Sequence, residues 1–372
     1  MDSNNVRPIC WCVFALIATP ASASTEAVAD ARALGMGETR VAIAYSPQLN
    51  PALLSSNNDK KLFWEPATLA VRIADAKRVR AAVTGDYAVR DYYHGAGYAA
   101  RAYARNSLQE PGLWQGQERL MLRSVQRLSQ YAARADVQAY AGLSLPNPVL
   151  GVGAYTNMYG SAARVPAADG AMRERATLVN EIGVALARQF AVYGDVAFGI
   201  TPKYVDILTY ERVAARPEDG DYDRRQEQLT HAFNMDIGVA RRYETGWSLG
   251  GVVTNLVPMN VTSVMGEEFR LLPTVRFGLA LQEAKTTYAA DIDVVDQQNW
   301  VDGVKRRYFG IGAEYQWWVV QWRAGYRHNL AVDQAGVVTL GMGLQAFGFH
   351  IDTAVAGNVH ELSATAQFSY RI

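Results

Sequence analysis

The sequence predicts an all-β protein, a transmembrane antiparallel up-and-down β-barrel of about 14 strands. Three observations predict it: alternation at the C-terminal end, recurrence of that alternation upstream, and regular succession of short and longer links. In residues 362–372 every even position is apolar or aromatic and every odd position is polar. Because strand side chains point alternately to opposite faces, this stretch has one apolar and one polar face.

The composition is compatible with a barrel, and the balanced charge does not indicate a class of binding partner. The 372 residues include 36 basic and 36 acidic side chains, and mean hydropathy is -0.09. A near-neutral hydropathy suits a barrel because about half of each spanning strand faces a polar lumen. Net charge does not favour a nucleic-acid surface, and direct nucleic-acid binding is not predicted. Beyond the N-terminus no run of about 18 apolar residues predicts a transmembrane helix.

The N-terminal segment 1–23 has the pattern of a cleaved secretory signal peptide. Arg7 precedes an apolar run over residues 9–18, and the small residues 21–23 mark the cleavage site. Cys10 and Cys12 both lie in this segment. The exported chain would therefore contain no cysteine, which excludes a disulfide scaffold, a thiol enzyme and a thiolate metal site.

The strands can be counted from the alternation. The predicted strands are 62–74, 136–145, 148–158, 176–188, 191–205, 230–243, 246–257, 270–283, 285–295, 304–317, 319–329, 336–346, 347–357 and 361–372. Tight turns alternate with longer links, which is typical of periplasmic turns and extracellular loops. Both chain ends then lie on the periplasmic side, which requires an even number of strands.

Polar positions on these strands predict a charged lumen. Arg or Lys costs about 2–4 kcal/mol on the lipid face at the bilayer midplane, so charged residues should point inward. The candidate lumen residues are Asp195, Lys203, Asp236, Arg276, Asp291, Asp293, Glu314, Arg323, Arg327, His350 and Asp352. Ion pairing inside the lumen, including Asp195 with Lys203, is the simplest interpretation.

Residues 75–135 interrupt the strand pattern and are predicted as a helical insertion. From 118 to 133 apolar residues recur on one face, which predicts an amphipathic helix of about four turns. This helix could pack on its own loop or the barrel rim, dock a partner, or plug the lumen.

Residues 24–61 form a small unit before the barrel. Gly35, Met36 and Gly37 permit tight backbone, and Asn50 with Pro51 is a turn signal. By itself this unit could equally be a capping loop of a globular domain.

The motif Arg32-Ala-Leu-Gly-Met-Gly37, followed by Asn50-Pro51-Ala52, resembles the N-terminal hatch of FadL-like outer-membrane barrels. Within that group the chain is most similar to the conjugal-transfer TraF-type outer-membrane proteins. The likeness also includes residues 199–210, residues 253–258 and the final Phe-Ser-Tyr-Arg-Ile. The resemblance implies a hatch over residues 24–61, a barrel over residues 62–372, and location in the outer membrane of a Gram-negative bacterium. It also implies a role in plasmid conjugation or a related envelope process.

The sequence contains no nucleophile elbow, phosphate loop or metal-binding His/Cys spacing, so no enzyme activity, cofactor or metal is predicted. His350 and Asp352 share a strand face, and lumen lining is their simplest role. Expected partners are outer-membrane lipid and envelope or conjugation-apparatus proteins, with residues 75–135 as a contact surface.

Two other functions stay open. In a FadL-like transporter of hydrophobic small molecules, an apolar pocket would adjoin residues 30–54, and a charged lumen would oppose this function. In a hydrolase, Ser or Asp would stand beside His350 or His328. A large soluble β-sandwich shares much of the alternation and is the alternative fold.

Overall fold

The computed structural model describes residues 30–43, 46–56, 61–74, 122, 134–166, 172–191, 195–213 and 227–371. The predicted signal peptide, the first residues of the predicted hatch, and all of the predicted helix 118–133 except Leu122 lie outside these ranges. In the part of the chain that the structure describes, no helix is long and apolar enough to cross a bilayer.

The predicted closed antiparallel barrel of 14 strands is confirmed. The strand Phe63–Ala74 pairs with the strand Glu361–Arg371, from Phe63↔Arg371 to Ala74↔Glu361, which joins the first barrel strand to the last. The barrel strands are β1 (Phe63–Ala74), β2 (Arg134–Leu145), β3 (Gly151–Pro166), β4 (Met172–Phe190), β5 (Val196–Val213), β6 (Glu227–Arg242), β7 (Trp247–Thr254), β10 (Thr274–Glu283), β11 (Thr286–Asp293), β14 (Tyr308–Trp317), β15 (Val320–Asn329), β16 (Val337–Ala346), β17 (Phe349–Gly357) and β18 (Glu361–Arg371).

Two hairpins occupy links between barrel strands. Strands β8 (Met259–Thr262) and β9 (Glu268–Leu271) pair in the link before β10, and β12 (Gln297–Gln298) and β13 (Lys305–Arg306) pair in the link before β14. Phe269 and Trp300, one from each link, stack with ring centroids 4.9 Å apart. The predicted longer links are therefore partly structured.

The two ends of the barrel differ. At the end that carries the chain terminus, which we call the turn end, β16 connects to β17 through Phe347 and Gly348, with φ of 52° and 84°. Positive φ at both central residues gives the turn a twist that matches the flanking strands. The opposite end, which carries the longer links, we call the loop end.

Three strands extend further toward the loop end than their alternation predicts. Strand β3 continues to Pro166 and β5 to Val213, and β4 begins at Met172, so the predicted links 159–175 and 206–229 are shorter than expected. The reason is burial on both faces: neighbours Ala162 and Ala163 are both fully buried. A strand covered on both faces need not alternate apolar and polar residues.

The two faces of the wall differ as the alternation predicts. Large apolar side chains such as Phe233 (79% exposed) point outward, whereas Asp236 (2%) and Arg327 (1%) are buried inside. The wall thus encloses a charged interior, which determines what the lumen can hold.

Candidate functional site

An N-terminal segment lies inside the barrel; we call residues 30–43 and 46–56 the inner segment. It begins with helix α1 (Ala31–Gly35), whose N-cap Asp30 accepts a hydrogen bond from the Ala33 amide at 2.6 Å. It ends with a 3-10 helix (Pro51–Leu54) capped by Asn50. Helix α1 contacts β15 to β18 and the 3-10 helix contacts β3 to β6. The inner segment therefore spans the lumen from one wall to the other.

Glycines on the inner face of the wall leave room for the backbone of the inner segment to approach closely. A Cβ at Gly310 would lie 2.1 Å from the Gly37 carbonyl oxygen, and one at Gly250 would lie 2.3 Å from the Val41 carbonyl oxygen. The same holds for Gly199 against the Ala52 amide at 2.4 Å. These in-strand glycines permit close backbone approach rather than marking bulges.

Wall side chains bind the backbone of the inner segment. The Asp291 carboxylate accepts from the Arg40 amide at 2.7 Å and the Val41 amide at 3.0 Å. The Thr339 hydroxyl accepts from the Gly37 amide at 2.9 Å and donates to the Gly35 carbonyl at 3.1 Å. The Thr339 contact satisfies the Gly35 carbonyl at the end of helix α1, and the Asp291 contacts satisfy two amides of the link that follows.

Ion pairs join charged side chains of the inner segment to the wall. Glu38, which has φ of 64°, pairs with Arg72 and Arg327. Both arginines also pair with Glu361. This buried group of two arginines and two carboxylates balances in charge, which offsets the cost of burying each ion.

A second ion-pair group lies nearer the turn end. Arg32 of helix α1 donates to both oxygens of Glu314, at 2.9 and 2.7 Å. Arg323 donates to Glu314 at 2.6 Å and to Asp352 at 2.6 Å. The bidentate contact fixes the orientation of helix α1 against β14.

The structure places ten of the predicted lumen residues on the inner face. Lys203 lies between Glu181 (3.2 Å) and Asp236 (3.0 Å), and Arg276 pairs with Asp293 at 2.5 Å. The ten are Lys203, Asp236, Arg276, Asp291, Asp293, Glu314, Arg323, Arg327, His350 and Asp352. Burial, together with the nearby Arg276, lowers the pKa of Arg40 in the inner segment to about 10, so this side chain stays charged near neutral pH.

Asp195 does not line the lumen, which corrects the prediction. It is exposed in the link between β4 and β5 at the turn end, with φ of 61°. Aspartate tolerates this left-handed conformation in turns. Its predicted partner Lys203 pairs with Glu181 and Asp236 instead.

His350 and Asp352 share the inner face but do not form a pair. Asp352 accepts from Arg323, and the His350 ring meets Phe63 edge-on with centroids 6.3 Å apart. Ser369 lies opposite His350 in the register, and no hydrogen bond joins these two described side chains.

Two cavities lie on opposite sides of the inner segment. The larger, of about 320 Å³, is at the turn end and is lined by Arg32, Glu65, Gln321 and His350 among others. The smaller, of about 70 Å³, lies toward the loop end and is lined by side chains that include Arg40. Both linings are rich in charged and amide side chains, so neither is an apolar pocket.

Among the described residues, no group of three or more His, Cys, Asp or Glu side chains has an arrangement that could hold a metal ion.

Sequence reasoning missed several residues of this site. It did not single out Glu38, Arg72 or Glu361, although two of them lie on predicted strands at inward positions. It also did not predict that in-strand glycines such as Gly310 contact a segment inside the barrel. These glycines lie at inward-facing positions of several strands, and this pattern could have indicated that a segment packs inside the barrel.

A family model described as "F plasmid transfer operon, TraF, protein" matches residues 47–293. The chain belongs to the TraF family. The match covers more than half of the 372 residues and includes the 3-10 helix of the inner segment and strands β1 to β11. It confirms the resemblance found in the sequence. No curated protein matches this TraF-family chain at a significant level.

Solved structures share the fold of this TraF-family protein. The Pseudomonas putida toluene transporter TodX superposes with a TM-score of 0.54 at 13% identity, over 92% of this chain and 97% of that one. The monoaromatic hydrocarbon channel CymD superposes with a TM-score of 0.54 at 12% identity, over 92% of this chain and 96% of that one. The closed barrel is thus a fold that this chain shares with these two proteins.

Proposed function

We propose that this protein is a closed outer-membrane barrel that serves as an envelope component of plasmid transfer. The family description supports the transfer role. The observation that carries the closed state is the inner segment, which spans the lumen and pairs with the wall through Arg32 and Glu38. In this proposal the turn end faces the periplasm and the loop end faces outward. Residues 1–23 are a signal peptide and residues 24–61 are the hatch.

The protein acts through binding to other envelope proteins rather than through chemistry. The neighbours in fold are described as channels and transporters, which supports a non-enzymatic role. The side chains of His350 and Ser369 are not hydrogen-bonded to each other, which gives no support for hydrolysis. Outer-membrane lipid contacts the outward apolar face of the wall.

Two measurements test the proposal: the frequency of plasmid transfer between cells and the ion conductance of the purified protein. A donor strain that lacks the gene should transfer its plasmid less often, and the intact gene should restore transfer. Purified protein in planar bilayers should conduct little, whereas a variant without residues 30–56 should open a pore because the lumen loses its filling. Normal transfer without the gene, or large steady conductance by the intact protein, would contradict the proposal.

The second candidate function is a channel for hydrophobic small molecules. It is favoured by the likeness in fold to TodX and CymD. Against it, the cavity that adjoins the inner segment is lined by Arg32, Glu65, Gln321 and other polar side chains. Uptake of radiolabelled toluene into proteoliposomes decides between the two, because only a channel would raise the rate above that of empty liposomes.

A further inference from the structure

Two carboxylates, Asp30 of the inner segment and Glu65 of the wall, have no ion-pair partner among the described residues. Glu65 of β1 is 2% exposed and accepts from the Thr68 hydroxyl. Asp30 caps helix α1, and burial raises its pKa despite the hydrogen bond from the Ala33 amide. Glu38 and Glu314, by contrast, are each held by two arginines. Buried carboxylates are normally paired with cations or bind metal ions.

Asp30 and Glu65 line the same small cavity, of about 10 Å³. This volume is enough for one ion or one water molecule and too small for an organic ligand. Ser46, Thr68 and Gln138 also line it and add hydroxyl and amide oxygens.

Gln138 is the second, independent sign of a ligand here. Its side chain is 4% exposed, and its amide nitrogen donates to Asn157 at 2.7 Å. Its carbonyl oxygen, Oε1, is buried without a hydrogen-bond partner. A buried acceptor without a donor costs about 1–3 kcal/mol, and a cation or a water bound beside it would recover that cost.

The charges around the cavity favour a cation over water. Asp352 adds negative potential at both Asp30 and Glu65. The nearby arginines, Arg32 and Arg323, are engaged with Glu314 and Asp352. Glu314 and Asp352 are therefore matched by two guanidinium groups, whereas Asp30 and Glu65, when ionised, have no matching cation among the described residues.

We propose that a divalent cation of the Ca²⁺ class binds between Asp30 of the inner segment and Glu65 of the wall. Ca²⁺ takes oxygen ligands from carboxylates, amide carbonyls and water, and it tolerates irregular geometry. Glu65, Asp30 and Gln138 supply that combination. His350, Gln367 and other uncharged side chains line the adjoining larger cavity, and Arg242, Lys285 and Arg371 line it nearer the turn end.

The larger cavity gives the ion a route to the site. Asp30 and Glu65 line both it and the small cavity. A cation bound there would hold the start of the inner segment against β1. The stabilising effect of the cation on the inner segment rests on the proposed function, in which the lumen is closed; Ca²⁺ binding itself does not depend on that proposal.

The test is calorimetric titration of Ca²⁺ into purified protein stripped with EDTA in detergent. The intact protein should bind one Ca²⁺. Asp30→Asn and Glu65→Gln should each weaken binding at least about tenfold, because each removes one charged ligand. Glu283→Gln, an exposed carboxylate at the end of β10, is the control and should bind as the intact protein does.

Two outcomes would overturn the site. One is absence of saturable Ca²⁺ binding by the intact protein, which needs no variant and would mean that the pair is neutralised by a proton. The other is equal affinity in Glu65→Gln and the control. Failure of the Ca²⁺ site can be told apart from failure of the proposed function. Conductance measures whether the lumen is closed, whereas the titration measures only whether Ca²⁺ binds.

Discussion

At the scale of single residues, buried ion pairs determine how the inner segment is held. Glu38 is 5% exposed and Arg327 is 1% exposed, so both are removed from water and depend on each other. Removing one partner from a buried pair leaves an uncompensated charge, which costs more than the pair itself contributes. Single charge changes at these positions should therefore have large effects, whereas exposed charges should matter little.

Glu38→Gln should lower the free energy of unfolding by about 3 kcal/mol, because Arg72 and Arg327 lose a shared carboxylate. The measurement is urea-induced unfolding in detergent, followed by tryptophan fluorescence. Glu283→Gln is the matched control and should stay within about 0.5 kcal/mol of the unmodified protein. Equal midpoints for Glu38→Gln and the control would show that this ion pair is not formed.

Asp302, in the link between β11 and β14, should make stability depend on pH. Burial raises the pKa of Asp302, but the guanidinium groups of Arg134 and Arg306 outweigh burial and hold this pKa well below its usual range. A lowered pKa stabilises the folded state above the unfolded value, near about pH 4, and this contribution is lost as pH falls further.

Asp302→Asn should thus lower the urea midpoint at about pH 7 and reduce the loss of stability on acidification below about pH 4. The measurement is the same urea titration, repeated across this pH range for both proteins. Parallel pH profiles for the variant and the unmodified protein would contradict the assignment.

At the scale of elements, the wall and the inner segment fit backbone against backbone. Gly250 and Gly251 are adjacent on β7 and point to opposite sides. A Cβ at Gly250 would meet the Val41 carbonyl oxygen at 2.3 Å, whereas at Gly251 it would meet only side-chain atoms of Phe277 and Val239, at 3.1 Å or more. Comparing Gly250→Ala with Gly251→Ala therefore separates the effect of adding a methyl group to β7 from the effect of displacing the inner segment.

Gly250→Ala should displace the inner segment, because backbone cannot move aside as a side chain can. Trypsin should then cleave after Arg40 faster than in the intact protein, while barrel formation persists. Gly251→Ala should be cleaved at the original rate, since the Phe277 ring can shift. Equal cleavage in both variants would argue against close contact at Val41.

At the scale of the whole molecule, closure between β1 and β18 removes the free edges of the sheet. A closed barrel satisfies its backbone hydrogen bonds between strands, and such barrels resist detergent without heat. The purified protein should therefore migrate differently in gel electrophoresis before and after boiling, and should fractionate with the outer membrane. Recovery of the protein in the soluble periplasmic fraction, with the same migration before and after boiling, would contradict the membrane location.

The sequence by itself determined the strands, their faces and the tight turns. These features have a local cause, since strand side chains alternate with a period of two and turn residues act within a few positions. For this reason the 14 strands and the inward positions of Arg327 and Asp236 could be predicted without coordinates. The same reasoning failed at Asp195, because a residue next to a strand can turn away from the lumen.

Only the tertiary structure decided what the lumen contains. Glu38 meets Arg327, which is 289 residues away in sequence, because closure of the barrel brings β15 around the inner segment. The contact of Gly310 with Gly37 and the shared cavity of Asp30 and Glu65 depend on the same closure. Alternation states that a side chain points inward, whereas its partner depends on the curvature of the whole wall and on the path of the segment that fills it.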